Sequence, residues 1–163
     1  MRMIRGHEIL RRGLSFVEIL IVVAILGILA AMVIPQYKNT SDTAKINTTL
    51  KDLGTFETAI NVYAMKQNGV LPSSGSLLQA AISDYLPSGG ANAVPGVGGQ
   101  YQFYSWPGTN SAAVSVVGSP NVGLLSQIDI DLDDGIASTG RVRITASNEV
   151  FYFVFGPVPA NYP

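Results

Sequence analysis

Sixteen consecutive residues, Ile19–Ile34 (ILIVVAILGILAAMVI), carry no charged or strongly polar side chain. Over Leu14–Tyr37 the stretch is broken only by Ser15, Glu18, Gly27, Pro35 and Gln36. At about 1.5 Å per residue, a helix of roughly two dozen residues crosses a ~30 Å hydrocarbon core. A segment this apolar cannot stay in water uncovered, so the chain is expected to be tethered to, or to pass through, a membrane. Residues 1–13 (MRMIRGHEILRRG) hold four arginines against one glutamate. By the positive-inside rule, that excess keeps the N-terminus cytoplasmic and leaves the C-terminal part outside.

Composition closes several function classes. The 163 residues suit one domain, with ten Lys+Arg balanced by eleven Asp+Glu, so no broad basic surface for nucleic acid is expected. The absence of cysteine removes disulfides, thiolate metal sites and a cysteine nucleophile. The only histidine, His7, lies in the basic N-terminal segment, which argues against histidine acid–base chemistry. Ser73, Ser74 and Ser76 have no histidine to activate them, and no GxGxxG or GxxxxGK[ST] phosphate loop is present. An enzyme is not expected.

Three kinds of N-terminus fit a basic start followed by an apolar run. A cleaved secretory signal would need a shorter apolar stretch and a small-residue cleavage site after it, and Glu18 stands at its start. Arg11-Arg12 hints at a twin-arginine signal, against which the same glutamate counts. A plain signal anchor is the second kind, and a monomeric anchored binding module would use it. The third accounts for more residues. Gly13-Leu14-Ser15-Phe16-Val17-Glu18, leading directly into the apolar helix, resembles the class III signal of type IV pilins and pseudopilins. The resemblance covers residues 11–37 best, and Pro35 and Tyr37 fall where many pilins have a proline kink and an aromatic residue. Leu14 departs from the commonest first mature residue, phenylalanine.

The resemblance implies a leader, residues 1–13, cut by a prepilin peptidase between Gly13 and Leu14, with N-methylation of Leu14. It implies a membrane-spanning and filament-core helix over 14–37 and a globular domain over 38–163. Glu18 becomes the fifth mature residue, where the family keeps a glutamate. An ionisable group in a membrane helix costs roughly 2.5–3.5 kcal/mol at the helix centre and less near an end, so it usually has a partner. Beyond the leader the nearest basic side chain is Lys38, about 30 Å along the helix. The resemblance supplies the partner: a neighbour's terminal amine, which sets subunit register. The alternative is that Glu18 only snorkels to the headgroups.

Helical periodicity continues past the apolar run. Ile46, Leu50, Leu53, Phe56, Ile60 and Tyr63 recur at three- and four-residue steps, and Asn68-Gly69 is a stop signal. One helix is therefore expected from Leu14 to about Gln67, with a kink at Pro35. Downstream, Ser76–Tyr85 reads as a short helix with Ser76 as its N-cap, and the glycine-rich 87–100 as irregular or mobile. Tyr101–Trp106, Ala112–Val117, Arg141–Thr145 and Val150–Phe155 read as strands, the last two as a hairpin, while Gly123–Ile130 fits helix or strand. The resemblance makes this an α+β fold: a long N-terminal helix packed on a small antiparallel β-sheet.

The densest polar cluster is Asp129, Asp131, Asp133, Asp134 and Gly135. Alternating carboxylates before a glycine partly match a calcium loop, since a hard cation wants several oxygens on a tight turn. The twelfth position from Asp129 is Gly140 rather than a glutamate, and a solvated Asp-Gly turn is the alternative. Some pseudopilins bind calcium in a C-terminal loop. Tyr101, Phe103, Tyr104 and Trp106 suit sheet core or a carbohydrate-stacking surface.

The expectation is a structural subunit, a prepilin that assembles with copies or relatives into a helical filament. It would start as a single-pass protein of the bacterial inner membrane and end in a cell-surface pilus or a periplasmic pseudopilus. The resemblance also implies an assembly ATPase and a platform protein as partners. A type II secretion pseudopilin, driving protein secretion, is the alternative within the class.

Overall fold

The computed structural model describes residues 15–76, 80–87, 93–160 and 162. The expected leader, with Gly13, and Leu14 lie outside the described residues, as does 88–92 of the glycine-rich stretch. The chain forms two compact units, Met1–Asn39 and Thr40–Pro163.

Helix α1 spans Phe16–Lys66, 51 residues, and is continuous through Pro35. It ends where Asn68-Gly69 stops it: Gly69 N–H donates to Ala64 O at 2.7 Å, capping a carbonyl that a further turn would have used. In the first unit its apolar side chains all face outward; Ile19, Leu26 and Met32 are 46%, 58% and 67% exposed. In the second unit the periodic stripe is buried. Leu53, Phe56 and Ile60 are fully enclosed, Ile46 is nearly so, and Leu50 and Tyr63 are half-buried. Thr49 joins them despite its hydroxyl, because Oγ1 donates to Lys45 O and accepts Val97 N–H, so no polar atom is stranded.

Strands β1 (Gly75–Ser76), β2 (Gln100–Trp106), β3 (Ser111–Val117), β4 (Val142–Ile144) and β5 (Val150–Phe155) form one antiparallel sheet in the order β1-β2-β3-β5-β4. The last strand thus lies inside the sheet, between β3 and β4. Helix α2 is Ala80–Ser83, and α3 is Val122–Leu132. The expected helix over Ser76–Tyr85 is therefore shorter. Ser76 pairs with Gln102 at the sheet edge instead of capping a helix, because the ladder satisfies its backbone as an N-cap would not.

Alternation along the strands sorts the side chains into two layers. Phe103, Val114, Tyr152 and Val142 are register partners across four strands and belong to the core that α1 covers. Tyr104, Ala113 and Phe153, one residue along, face the other way with Phe151, Trp106, Val158 and Tyr162. Because the pleat has period two, a slip of one residue would exchange these layers entirely. The four aromatics of β2 are accordingly split: Tyr101 and Phe103 lie under α1, Tyr104 and Trp106 on the opposite face.

Candidate functional site

Two places carry the chemistry that the residues suggest. The first is the start of α1. Glu18 lies in the first turn, and its Oε2 accepts the Ser15 backbone N–H at 2.7 Å. Ser15-Phe16-Val17-Glu18 is thus half of a capping box, S-x-x-E, in which the first-turn carboxylate three residues on satisfies an orphan donor at the helix start. The spacing was available in the sequence as a local partner for Glu18. The carboxylate also complements the positive end of the helix dipole. The most apolar 18-residue stretch of α1 is 0% buried, and α1 is long and apolar enough to cross a membrane.

The second place is the end of α3. Carboxylate oxygens of Asp129, Asp133 and Asp134 all lie within 4.8 Å of one another. Asp131 is not with them; it is exposed, and its Oδ1 accepts the Gln127 amide at 2.8 Å. The reason is helical geometry. Asp129 and Asp131 both lie within α3, where residues two apart point to nearly opposite sides, whereas a calcium loop would bring alternate residues together.

The three clustered aspartates do different work. Asp133 Oδ2 accepts the Arg141 N–H and, at 3.0 Å, the Val142 N–H, tying the end of α3 to the start of β4. A Cβ at Gly140, which has φ +70°, would overlap that carboxylate, so the loop closes around Asp133 only with glycine there. Asp134 accepts Ile136 N–H at 2.8 Å and the Thr139 hydroxyl at 2.6 Å. Those bonds lower its pKa. Asp129 is 1% exposed, and its Oδ1 has no hydrogen-bond partner among the described residues. Burial raises its pKa first, the charges of Asp134 and Asp133 raise it further, and attraction from Arg143 with the Gly135 N–H bond opposes them. A buried carboxylate oxygen facing two more carboxylates is costly unless a proton or a cation joins it.

A third set of residues fastens α1 to the sheet. Glu57 Oε1 accepts from Arg141 Nη2 at 2.7 Å and Glu57 Oε2 from the Tyr152 hydroxyl at 2.6 Å. On the other flank, Asp52 Oδ2 accepts from the Tyr101 hydroxyl at 3.1 Å. Sequence periodicity marks Asp52 and Glu57 only as polar; nothing local shows that each meets a tyrosine from the sheet.

No family model matches the chain. Individual proteins do. Type II secretion system core protein G of Pseudomonas aeruginosa is 37% identical over 70 residues, 43% of this chain and 49% of that protein. The chain thus spans about half the length of that relative. Type IV major fimbrial protein FimA of Dichelobacter nodosus is 32% identical over 104 residues, 61% of this chain and 67% of that protein. Among solved structures, the major type IV pilin PilA1 from Clostridium difficile superposes with a TM-score of 0.50 at 13% identity, covering 71% of this chain and 97% of the other. At that identity the likeness concerns the fold: a long N-terminal helix on a small antiparallel sheet. The chain belongs to the family of type IV pilins and type II secretion pseudopilins.

Proposed function

We propose that the protein is a structural subunit of a type IV pilus-like filament, processed by a prepilin peptidase and assembled from the inner membrane. The observation that carries this is the apolar part of α1. A helix with its most apolar window 0% buried within its own molecule must be covered by something else, and lipid and neighbouring helices are the two materials of matching polarity. The subunit is held in the bilayer by residues 14–37 and then moved into the filament, where helix–helix contacts replace lipid contacts of similar apolarity. Cleavage falls between Gly13 and Leu14, Leu14 is N-methylated, and Pro35 marks a bend in α1. An assembly ATPase and a platform protein drive the transfer.

Glu18 is the assembly residue in this scheme. Its carboxylate caps its own helix and still has an oxygen, Oε1, for the terminal amine of a neighbour. The decisive variant is Glu18→Gln, which keeps an acceptor for the Ser15 N–H and removes only the charge. It should insert and be cleaved normally, yet fail to appear in sheared filaments when it is the only copy. Wild-type amounts of filament from that variant would remove the pairing role.

The pseudopilin alternative is favoured by the aspartate cluster and by the likeness to secretion core protein G. Asp129, Asp133 and Asp134 are the residues that would hold calcium, with Asp129 contributing the buried oxygen that has no hydrogen-bond partner among the described residues. Three carboxylates make a hard-oxygen site of the kind that cation prefers. Arg143 supplies a nearby positive charge that partly balances them.

A further inference from the structure

We propose that the exposed back of α1 around Lys51 is docked by the Ile130–Ile136 patch of a second copy of this chain, with Asp131 of that copy facing Lys51. The proposal rests on the filament assignment above and names the surfaces that would set lateral register.

In the second unit α1 carries lysines and acids together, and the densest acidic run lies at the end of α3. The unit's three lysines, Lys45, Lys51 and Lys66, are all on α1, while four of its aspartates fall within 129–134. Lys45 is paired with Asp42 at 3.0 Å, and Lys66 lies over the Tyr85 ring at 4.7 Å. Lys51 is exposed and, among the described residues, has no ion pair. Asp131 is the member of the acidic run that the carboxylate cluster leaves out.

The surfaces around these two charges differ in kind. Near Lys51 the helix offers small side chains whose hydroxyls are already used: Thr48, Thr55 and Thr58 each donate to the carbonyl four residues back at 2.9 Å. A partner can therefore cover this face without stranding a donor. Gly54 leaves open space beside it. At the end of α3 the relief is opposite. Ile130 and Ile136 are 57% and 54% exposed, and Ile130 Cγ1 lies 3.0 Å from where a Cβ on Gly135 would stand. Two bulky apolar side chains rimmed by carboxylates suit a shallow face with one unpaired cation at its centre.

Each copy gives one surface and receives the other, so the contact is head-to-tail. Such contacts propagate into open helical polymers unless the rotation happens to close a ring. Residues 40–163 carry nine acidic and five basic side chains, so copies repel on average and an opposite-charge contact selects the register.

Charge exchange in the full-length protein, expressed as the only copy, tests this. Asp131→Lys and Lys51→Glu should each lower sheared or pelleted filament by about tenfold, and the double variant should return it to near the wild-type level. Melting temperature and membrane insertion should stay at wild-type values in all three. Single reversals that assemble normally, or a double variant no better than the singles, would overturn the contact. Ile130→Ser with Ile136→Ser gives a second reading without charge: it should also reduce filament, and normal assembly would count against the docking. If these variants assemble while Glu18→Gln does not, the docking fails and the filament assignment stands. If the wild type forms no polymer, both fail.

Discussion

Glu57 on α1 and Tyr152 on β5 are 95 residues apart in sequence, and the tyrosine hydroxyl donates to Glu57 Oε2 at 2.6 Å. The other carboxylate oxygen holds Arg141 of β4's leading edge, whose guanidinium lies 5.1 Å from the Tyr152 ring centre and whose Nε donates to Phe153 O at 3.0 Å. One carboxylate therefore joins the long helix to the two strands that enter the sheet last. Where a hydrophobic stripe alone would let α1 slide or rotate over the sheet, this directional contact fixes its setting.

That network should be visible in pH dependence. Burial pushes the Glu57 carboxyl up, but the Tyr152 and Arg141 hydrogen bonds and the guanidinium charge outweigh it, leaving the pKa below the ordinary carboxylate value. The stabilisation is present above the unfolded pKa and is lost as pH falls through the folded one. Glu57→Gln should cost roughly 1 kcal/mol near neutrality, discounted for partial exposure, and much less below about pH 4. Tyr152 is pushed up to about 12 by burial first and by its bond to Glu57. Its contribution is therefore complete below pH ~10 and lost as pH rises through the folded value. Melting curves of wild type, Glu57→Gln and Tyr152→Phe across pH check both ends; a difference between wild type and Glu57→Gln that does not change with pH would contradict the assignment.

Calcium should stabilise the full-length protein in detergent if Asp129, Asp133 and Asp134 hold it. A ligand bound only by the folded state at a hundredfold above its Kd contributes about 2.7 kcal/mol. Melting should rise in millimolar calcium over chelator in the wild type and in Asp131→Asn, and not in Asp129→Asn. No response in the wild type leaves the cluster as a capped turn.

Gly140 should not tolerate a side chain. At φ +70° with Asp133 Oδ2 in the place of a Cβ, Gly140→Ala must open the loop and release the Arg141 and Val142 N–H groups. We expect a loss of about 2 kcal/mol or more, from strain plus unsatisfied backbone donors. Gly108, where an added Cβ meets nothing within 4 Å, serves as the comparison and should accept alanine at little cost.

Processing is checked by mass. Gly13→Val should leave the leader on, giving a chain that still begins at Met1, whereas the wild type should begin at Leu14, with or without one methyl. A normally shortened Gly13→Val protein would be incompatible with a prepilin peptidase site.

Phe56 is the test of the helix–sheet core. It is 1% exposed and meets the Tyr101 ring edge-on at 4.8 Å. Phe56→Ala should cost about 3–5 kcal/mol by lost burial and a residual cavity, readable as a lower denaturation midpoint. A loss below about 1 kcal/mol would mean the site collapses freely around the gap.

Local geometry made much of this protein legible in its sequence. The sixteen-residue apolar run, the three- and four-residue recurrence from Ile46 to Tyr63, the Asn68-Gly69 stop, the alternating aromatics of β2 and the short apolar runs of β3 and β5 are properties of a few neighbouring residues. Backbone period and chain stiffness act at that range, so a helix on a sheet could be expected before any contact was known. Ser15-x-x-Glu18 was equally local. Long-range placement decided the rest. Ser76 became a strand because Gln102 was beside it, and α3 became a helix because Leu125 and Ile128 found the core beneath. Asp129 turned inward from the same run that left Asp131 in water. The meeting of Glu57 with Tyr152, or of Asp133 with the start of β4, depends on which strand is inserted where, and a single chain of side-chain preferences contains no term for that. Convergence of distant residues is set by packing, in which every element competes for the same core.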